Sequence, residues 1–200
     1  MKFFKANSYD ITKLYINQIG ISIFSLFMSF AVESVSVEED LKLTLNVILS
    51  SFSILFFFFL LYTAAWDMGA KDKIRVESGR MPYDKHKGMK LSLFANVPNF
   101  VLSAVCILFL CIDLAASGDV WKTAFYIFNV LLRFTTVMYN GILQGIFQGV
   151  LNVNEILYLL YQSVGFFLAP LFAVAVTQFG YYMGVKDRRI MKLLTLRSKE

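Results

Sequence analysis

Seven polar residues recur at helical spacing within an apolar stretch: Asn129, Arg133, Thr136, Asn140, Gln144, Gln148 and Asn152. Gaps of three and four put them on one stripe of a continuous helix. Amides both donate and accept hydrogen bonds, and a guanidinium offers a fixed fork of donors to anions. This set can hold a polar solute or glue helices together, but it contains no nucleophile and no general base. Arg133 is the one basic residue deep in an apolar context. An intramembrane charge is costly enough to carry a functional hypothesis, whereas a helix lying at the interface lets the same side chain snorkel to headgroups. A second polar set, Asn96-Val97-Pro98-Asn99, surrounds a proline that removes one helix hydrogen bond and frees a carbonyl. Such breaks line binding sites in transporters; an ordinary kink near the interface is the plainer reading. The ligand-binding candidates are therefore Asn96, Asn99, Asn129, Arg133, Asn140, Gln144 and Gln148. Gly141, Gly145 and Gly149 run beside the stripe as a small-residue ridge that lets helices approach closely.

Other chemistries lack their residues. The single histidine, His86, sits in a basic segment, so no His-Glu-x-x-His zinc site and no Ser/His triad can be assembled. Cys106 and Cys111 are five apart in one apolar run, on different helix faces, and fit neither a disulfide nor a CxxC motif. Asp67 and Asp113 lie near opposite ends of their runs, too far apart for a carboxylate dyad. A non-enzymatic protein without metal or cofactor is the expectation.

The elements that position these residues are membrane spans. Hydrophobic residues make up 58% of the 200 and charged residues 16%, which departs from soluble domains toward the membrane. Four runs carry no charge: Leu14–Val32, Leu43–Trp66, Leu91–Ile112 and Ile156–Val185. A hydrocarbon core of about 30 Å needs roughly 20 helical residues, and in lipid only a helix or a closed barrel satisfies its own backbone. An all-α, polytopic transmembrane helix bundle follows, one integral membrane domain over 1–200 with spans near 14–33, 43–68, 91–112 and 156–183. The basic start and the apolar run after it resemble a signal peptide, yet the run is span-length and no small-x-small cleavage site follows, so it reads as a retained span.

Charge sets the orientation. Of 19 Lys and Arg, three precede the first span, seven fall between Lys71 and Lys90, and six follow the last span. The segment after the first span is acidic, with Glu33, Glu38, Glu39 and Asp40. The positive-inside rule places both termini and the 70–90 loop in the cytoplasm, which demands an even number of crossings. Residues 120–155 then do not cross; a fifth span would send six cations outside. Three arrangements of this segment stay open: an amphipathic helix or re-entrant hairpin on the outer side, a true span packed through its stripe, or a cavity lining. The 70–90 loop suits anionic inner-leaflet lipid or an acidic protein partner, and is too short for a nucleic-acid-binding fold.

Two run ends share a pattern. Trp66-Asp67-Met68-Gly69-Ala70-Lys71-Asp72-Lys73 and Tyr181-Tyr182-Met183-Gly184-Val185-Lys186-Asp187-Arg188 both read aromatic-x-Met-Gly-x-Lys-Asp-basic. A shared way of leaving the membrane is the leading explanation, with an aromatic at headgroup level and cations beyond; an internal duplication with parallel halves is the second.

Asn7-Ser8-Tyr9-Asp10, Lys13-Leu14, Ile16-Asn17-Gln18-Ile19-Gly20, Lys87-Gly88-Met89-Lys90 with Asn96-Val97-Pro98, and Tyr181-Tyr182-Met183-Gly184 resemble a group of small polytopic membrane proteins of low-GC Gram-positive bacteria. That group has no established activity, so the resemblance implies a bacterial inner membrane and nothing about catalysis. The function expected is an accessory or scaffold subunit of a membrane complex, in contact with a protein partner or a second copy. The alternative is a small-solute transporter or its ligand-binding component.

Overall fold

A computed structural model describes residues 2–35, 38–116, 119–151 and 154–188. Seven α-helices and one 3-10 turn, with no strand, account for the described residues: α1 (Lys2–Ala6), α2 (Ser8–Glu33), α3 (Glu39–Glu77), α4 (Lys87–Ala116), α5 (Asp119–Thr136), the turn Val137–Tyr139, α6 (Asn140–Leu151) and α7 (Glu155–Val185). The fold is all-α, and α2, α3, α4 and α7 are long and apolar enough to cross a membrane. These helices present Phe27, Phe52, Leu55, Phe59, Val101, Leu108 and Phe172 outward, as chains solvated by lipid do.

Helix ends follow local chemistry. Glu39 and Asp40 open α3 and Glu155 opens α7, where carboxylates complement the helix dipole. Asn154 caps α7 by accepting a 3.1 Å hydrogen bond from the Leu157 N–H. At the other end of α3, Gly79 adopts φ 69°. Gly79 N donates to Val76 O and Arg80 N to Arg75 O, a glycine-terminated stop that satisfies the last carbonyls. The helix thus runs past Gly69, where the apolar stretch alone suggests an exit, because Gly69 is used for packing and not for termination. α4 likewise starts at Lys87, ahead of the expected 91, and continues through Pro98; α7 continues through Pro170.

The chain divides into two compact units: residues 1–14, 58–95 and 171–200, and residues 15–57 and 96–170. In the first, α3 and α7 cross through the two similar motifs. A Cβ on Gly69 would collide with the Tyr181 carbonyl, and one on Gly184 with the Trp66 carbonyl. Each motif's glycine therefore sits on the backbone of the other motif's aromatic. The side chains reciprocate: Tyr181 OH donates to Asp72 Oδ2 at 3.0 Å, and Trp66 Nε1 donates to Arg188 O at 2.9 Å. Similar residues recur because two helices meet through the same close contact, made once from each side.

The second unit contains the segment that sequence left open. Residues 119–151 are not one helix. Phe109 of α4 packs in tilted contact with both Trp121 and Phe128 of α5, so α5 lies against α4. Thr135 near its end lies against Gln18 and Ser22 of α2; from Ser22 to the end of α2 at Glu33 is about 16 Å of helix. After the turn, α6 runs the opposite way. Its Leu143 meets Gly165 and its Phe147 meets Tyr161, an antiparallel register with α7. Gly141 meets Asn46 and Ser50 of α3, and Gly145 meets Val47. α5 and α6 form a helical hairpin whose tip, Val137–Tyr139, is buried.

Irregular backbone buried in a membrane bundle must be satisfied by protein or water. The Thr135 carbonyl, one of the four that a helix C-terminus leaves without a partner, accepts from Ser22 Oγ at 2.7 Å and Gln18 Nε2 at 3.3 Å. The Gly141 N–H, orphaned at the start of α6, donates to Ser50 Oγ at 2.9 Å. Side chains from α2 and α3 thus cap both arms of the hairpin.

Candidate functional site

The hairpin splits the polar stripe in two and then brings the halves together on α7. Asn129, Arg133 and Thr136 belong to α5, and Asn140, Gln144 and Gln148 to α6; Asn152 lies outside the described residues. Gln162 of α7, fully buried, joins the arms. Its Oε1 accepts from Arg133 Nη2 at 2.6 Å, and its Nε2 donates to Asn140 Oδ1 at 3.2 Å and to Tyr158 OH at 3.3 Å. A glutamine suits this position because it presents an acceptor to the cation and donors to the neutral oxygens. Arg133 makes no ion pair among the described residues, and its Nε is buried without a hydrogen-bond partner.

From Tyr158 the polar surface continues outward along α6. A cavity of about 230 Å³ is lined by Glu33, Glu39, Lys42, Leu43, Asn46, Gln144, Gln148 and Tyr158. Its charges are loosely tied, with Lys42 Nζ 3.8 Å from Glu33 and 3.7 Å from Glu39. Asn46 Oδ1 is buried there without a donor. The arrangement offers carboxylates and an ammonium at the α2–α3 end, neutral amides along α6, and a guanidinium beyond Tyr158. Such a gradient can admit a polar solute, strip its water and hold it by hydrogen bonds.

The remaining candidates fall elsewhere. Asn129 is buried on α5. Asn96 and Asn99 are buried on α4, where Asn99 Nδ2 donates to Asn96 Oδ1 at 3.2 Å and leaves Asn99 Oδ1 unpartnered. The glycine ridge is used unevenly: Gly141 is seated on the Asn46 backbone and Gly145 on Val47, while Gly149 faces open space.

Several partners escape the stripe reading. Gln162, Tyr158, Asn46, Gln18 and Ser22 sit in uncharged spans where a single amide or hydroxyl reads as ordinary packing. Gln18 and Ser22 do share a helix face at i, i+4, a faint signal for a polar contact.

A different polar cluster belongs to the first unit. Asp72, 3% exposed, accepts from Lys87 Nζ at 2.6 Å and from Tyr181 OH; Arg75 Nη1 lies 3.6 Å from its other oxygen. This buried pair ties α3, α4 and α7. In the short segment before α4, Asp84 accepts from Lys90 Nζ at 2.7 Å and from the His86 N–H at 3.0 Å. The Lys90 bond holds its carboxyl below the usual range against the opposing effect of burial, with the His86 amide adding to the lowering.

Comparison with protein-family models, curated proteins and solved structures returns no match.

Proposed function

We propose that this chain binds or passes a small polar solute at the α5–α6 hairpin, as a transporter or the ligand-binding component of one. The observation that carries the reading is the hairpin itself, a broken helical pair. Its Arg133 and Asn140 converge on Gln162, and Tyr158 links them to a solute-sized cavity. Transport proteins use interrupted helices in this way, because a break exposes backbone and side-chain polar groups inside the membrane. Reconstituted protein should take up or bind a polar solute. Gln162→Leu should abolish this while the purified protein stays monodisperse; unaltered uptake by Gln162→Leu would overturn the reading.

The reading of the chain as an accessory subunit draws on the glycine ridge. Gly141 and Gly145 are already seated on α3, which leaves Gly149 and the basic segment for a partner, so the solute reading comes first. We place both termini in the cytoplasm of a bacterial cell. The support is the distribution of basic residues, four spans, a helical hairpin, and the resemblance to small Gram-positive membrane proteins. Reporter fusions after Leu194 and Ser78 should score inside and one after Asp40 outside.

A further inference from the structure

Resting on that reading, we infer that Arg133 is an oxyanion-recognition point, and that the solute carries a carboxylate or phosphate group. The argument starts from what the guanidinium lacks. Arginine stays charged in proteins and carries five donors in a planar fork. Here one Nη2 hydrogen is held by Gln162, a neutral acceptor, and no carboxylate among the described residues pairs with the group. Burying one partner of a charge pair without the other is strongly unfavourable. Intramembrane arginines accordingly face a partner, a cavity or a ligand. In the same chain, Asp72 and Lys87 show what a completed internal pair looks like, at 2.6 Å.

The surroundings are built for the fork and not for a protein counter-ion. Gln162 pins one nitrogen, and Nε is buried with no acceptor. An oxyanion taking the Nη hydrogens that Gln162 leaves completes the bidentate geometry in which arginine binds carboxylate and phosphate. Tyr158 already accepts from Gln162, so its own hydrogen is free to turn to the same ligand.

Two sources supply this chemistry: a small dissolved anion entering by the cavity, or the phosphate of a lipid headgroup. The proposal is the dissolved anion. Purified protein in a neutral detergent is titrated calorimetrically with acetate, succinate and inorganic phosphate, and with glycerol as the uncharged control. In parallel it is titrated with phosphatidylglycerol nanodiscs. Wild type should bind at least one of the three anions, more weakly as sodium chloride is raised. Arg133→Gln should lose about tenfold or more, the order expected for one charge-assisted bidentate contact, and Arg133→Lys should retain part of it because charge survives and the fork does not. Size-exclusion profiles matching wild type keep the comparison interpretable, and removing an unpaired buried charge does not threaten the fold. Glycerol binding that survives Arg133→Gln overturns the anion assignment and leaves the solute reading standing. Response to phosphatidylglycerol alone also overturns it, and makes Arg133 a headgroup anchor. If none of the soluble probes binds and Gln162→Leu is silent in uptake, the assignment and the solute reading fall together.

Discussion

The two units differ in how completely they pair their buried polar atoms: the first leaves Tyr62 OH without a partner, the second leaves many. In the first, Asp72 is closed by Lys87 and Tyr181, Gln178 accepts from the Met89 N–H and donates to Lys85 O, and four glycines are pressed against neighbouring atoms. In the second, Ser25, Ser53, Asn99, Ser103, Tyr139 and Ser163 are buried with at least one side-chain oxygen unpartnered, as is Arg133 Nε. An unpaired buried polar atom costs free energy that a paired one does not. The first unit is a clasp, and the second leaves more of its buried polar atoms without a partner in the chain.

The largest test breaks the clasp. Lys87→Met should destabilise the protein by about 3–5 kcal/mol, because it strands the Asp72 carboxylate in a buried site. Asp72→Leu combined with Lys87→Met should recover most of that loss in thermal unfolding. A double variant as unstable as Lys87→Met alone would mean the pair does more than cancel its own charges.

Close packing at the motif crossing is tested next. Gly69→Ala or Gly184→Ala should cost about 1–3 kcal/mol, since the added carbon meets a backbone carbonyl that cannot rotate away. Gly149→Ala, facing open space, should be neutral by the same assay. Equal effects at Gly149 and Gly184 would count against the packing account.

In the second unit the prediction changes sign. Ser163→Ala removes a buried hydroxyl with no partner in the chain, so stability should hold within about 1 kcal/mol or rise. Ser22→Ala, which uncaps the Thr135 carbonyl, should cost about 1 kcal/mol or more. Matching losses would show that Ser163 has a partner in the chain after all.

The smallest effect concerns pH outside the membrane. Asp84 has a lowered pKa when folded. Its contribution is therefore complete above the ordinary carboxylate pKa, and it is lost as pH falls through the folded value. The protection of the His86 amide, whose N–H donates to this carboxylate, measured relative to its intrinsic exchange rate, should fall on acidification below about pH 4, and Asp84→Asn should show the low protection at neutral pH.

Much of this contrast is visible in the chain read linearly. The four uncharged runs coincide with four long helices, and the stripe at 129–148 does carry the polar groups of the hairpin. The paired Gly-x-Lys-Asp motifs also mark a structural fact, although the sequence reading as parallel exits misses that they pack on each other. Asp72 and Lys87 escape because both sit in a charge-rich segment, where surface solvation is the ordinary state; only α7, with Tyr181, encloses them.

Span number, helical class and the bias of basic residues follow from composition along the chain, because lipid solvates each run almost independently of its neighbours. The break after Thr136 does not. Thr-Thr-Val-Met-Tyr-Asn contains neither glycine nor proline, and nothing local forbids the helix from continuing. The turn exists because Ser22 and Gln18 take the Thr135 carbonyl and Ser50 takes the Gly141 N–H, removing the hydrogen-bond penalty that would otherwise keep the helix whole. Those donors and acceptors lie about a hundred residues away in sequence, and only packing brings them together. The same packing turns a straight stripe into two arms and sets Arg133 against Gln162, so the chemistry of the site is a property of the fold and not of the stripe.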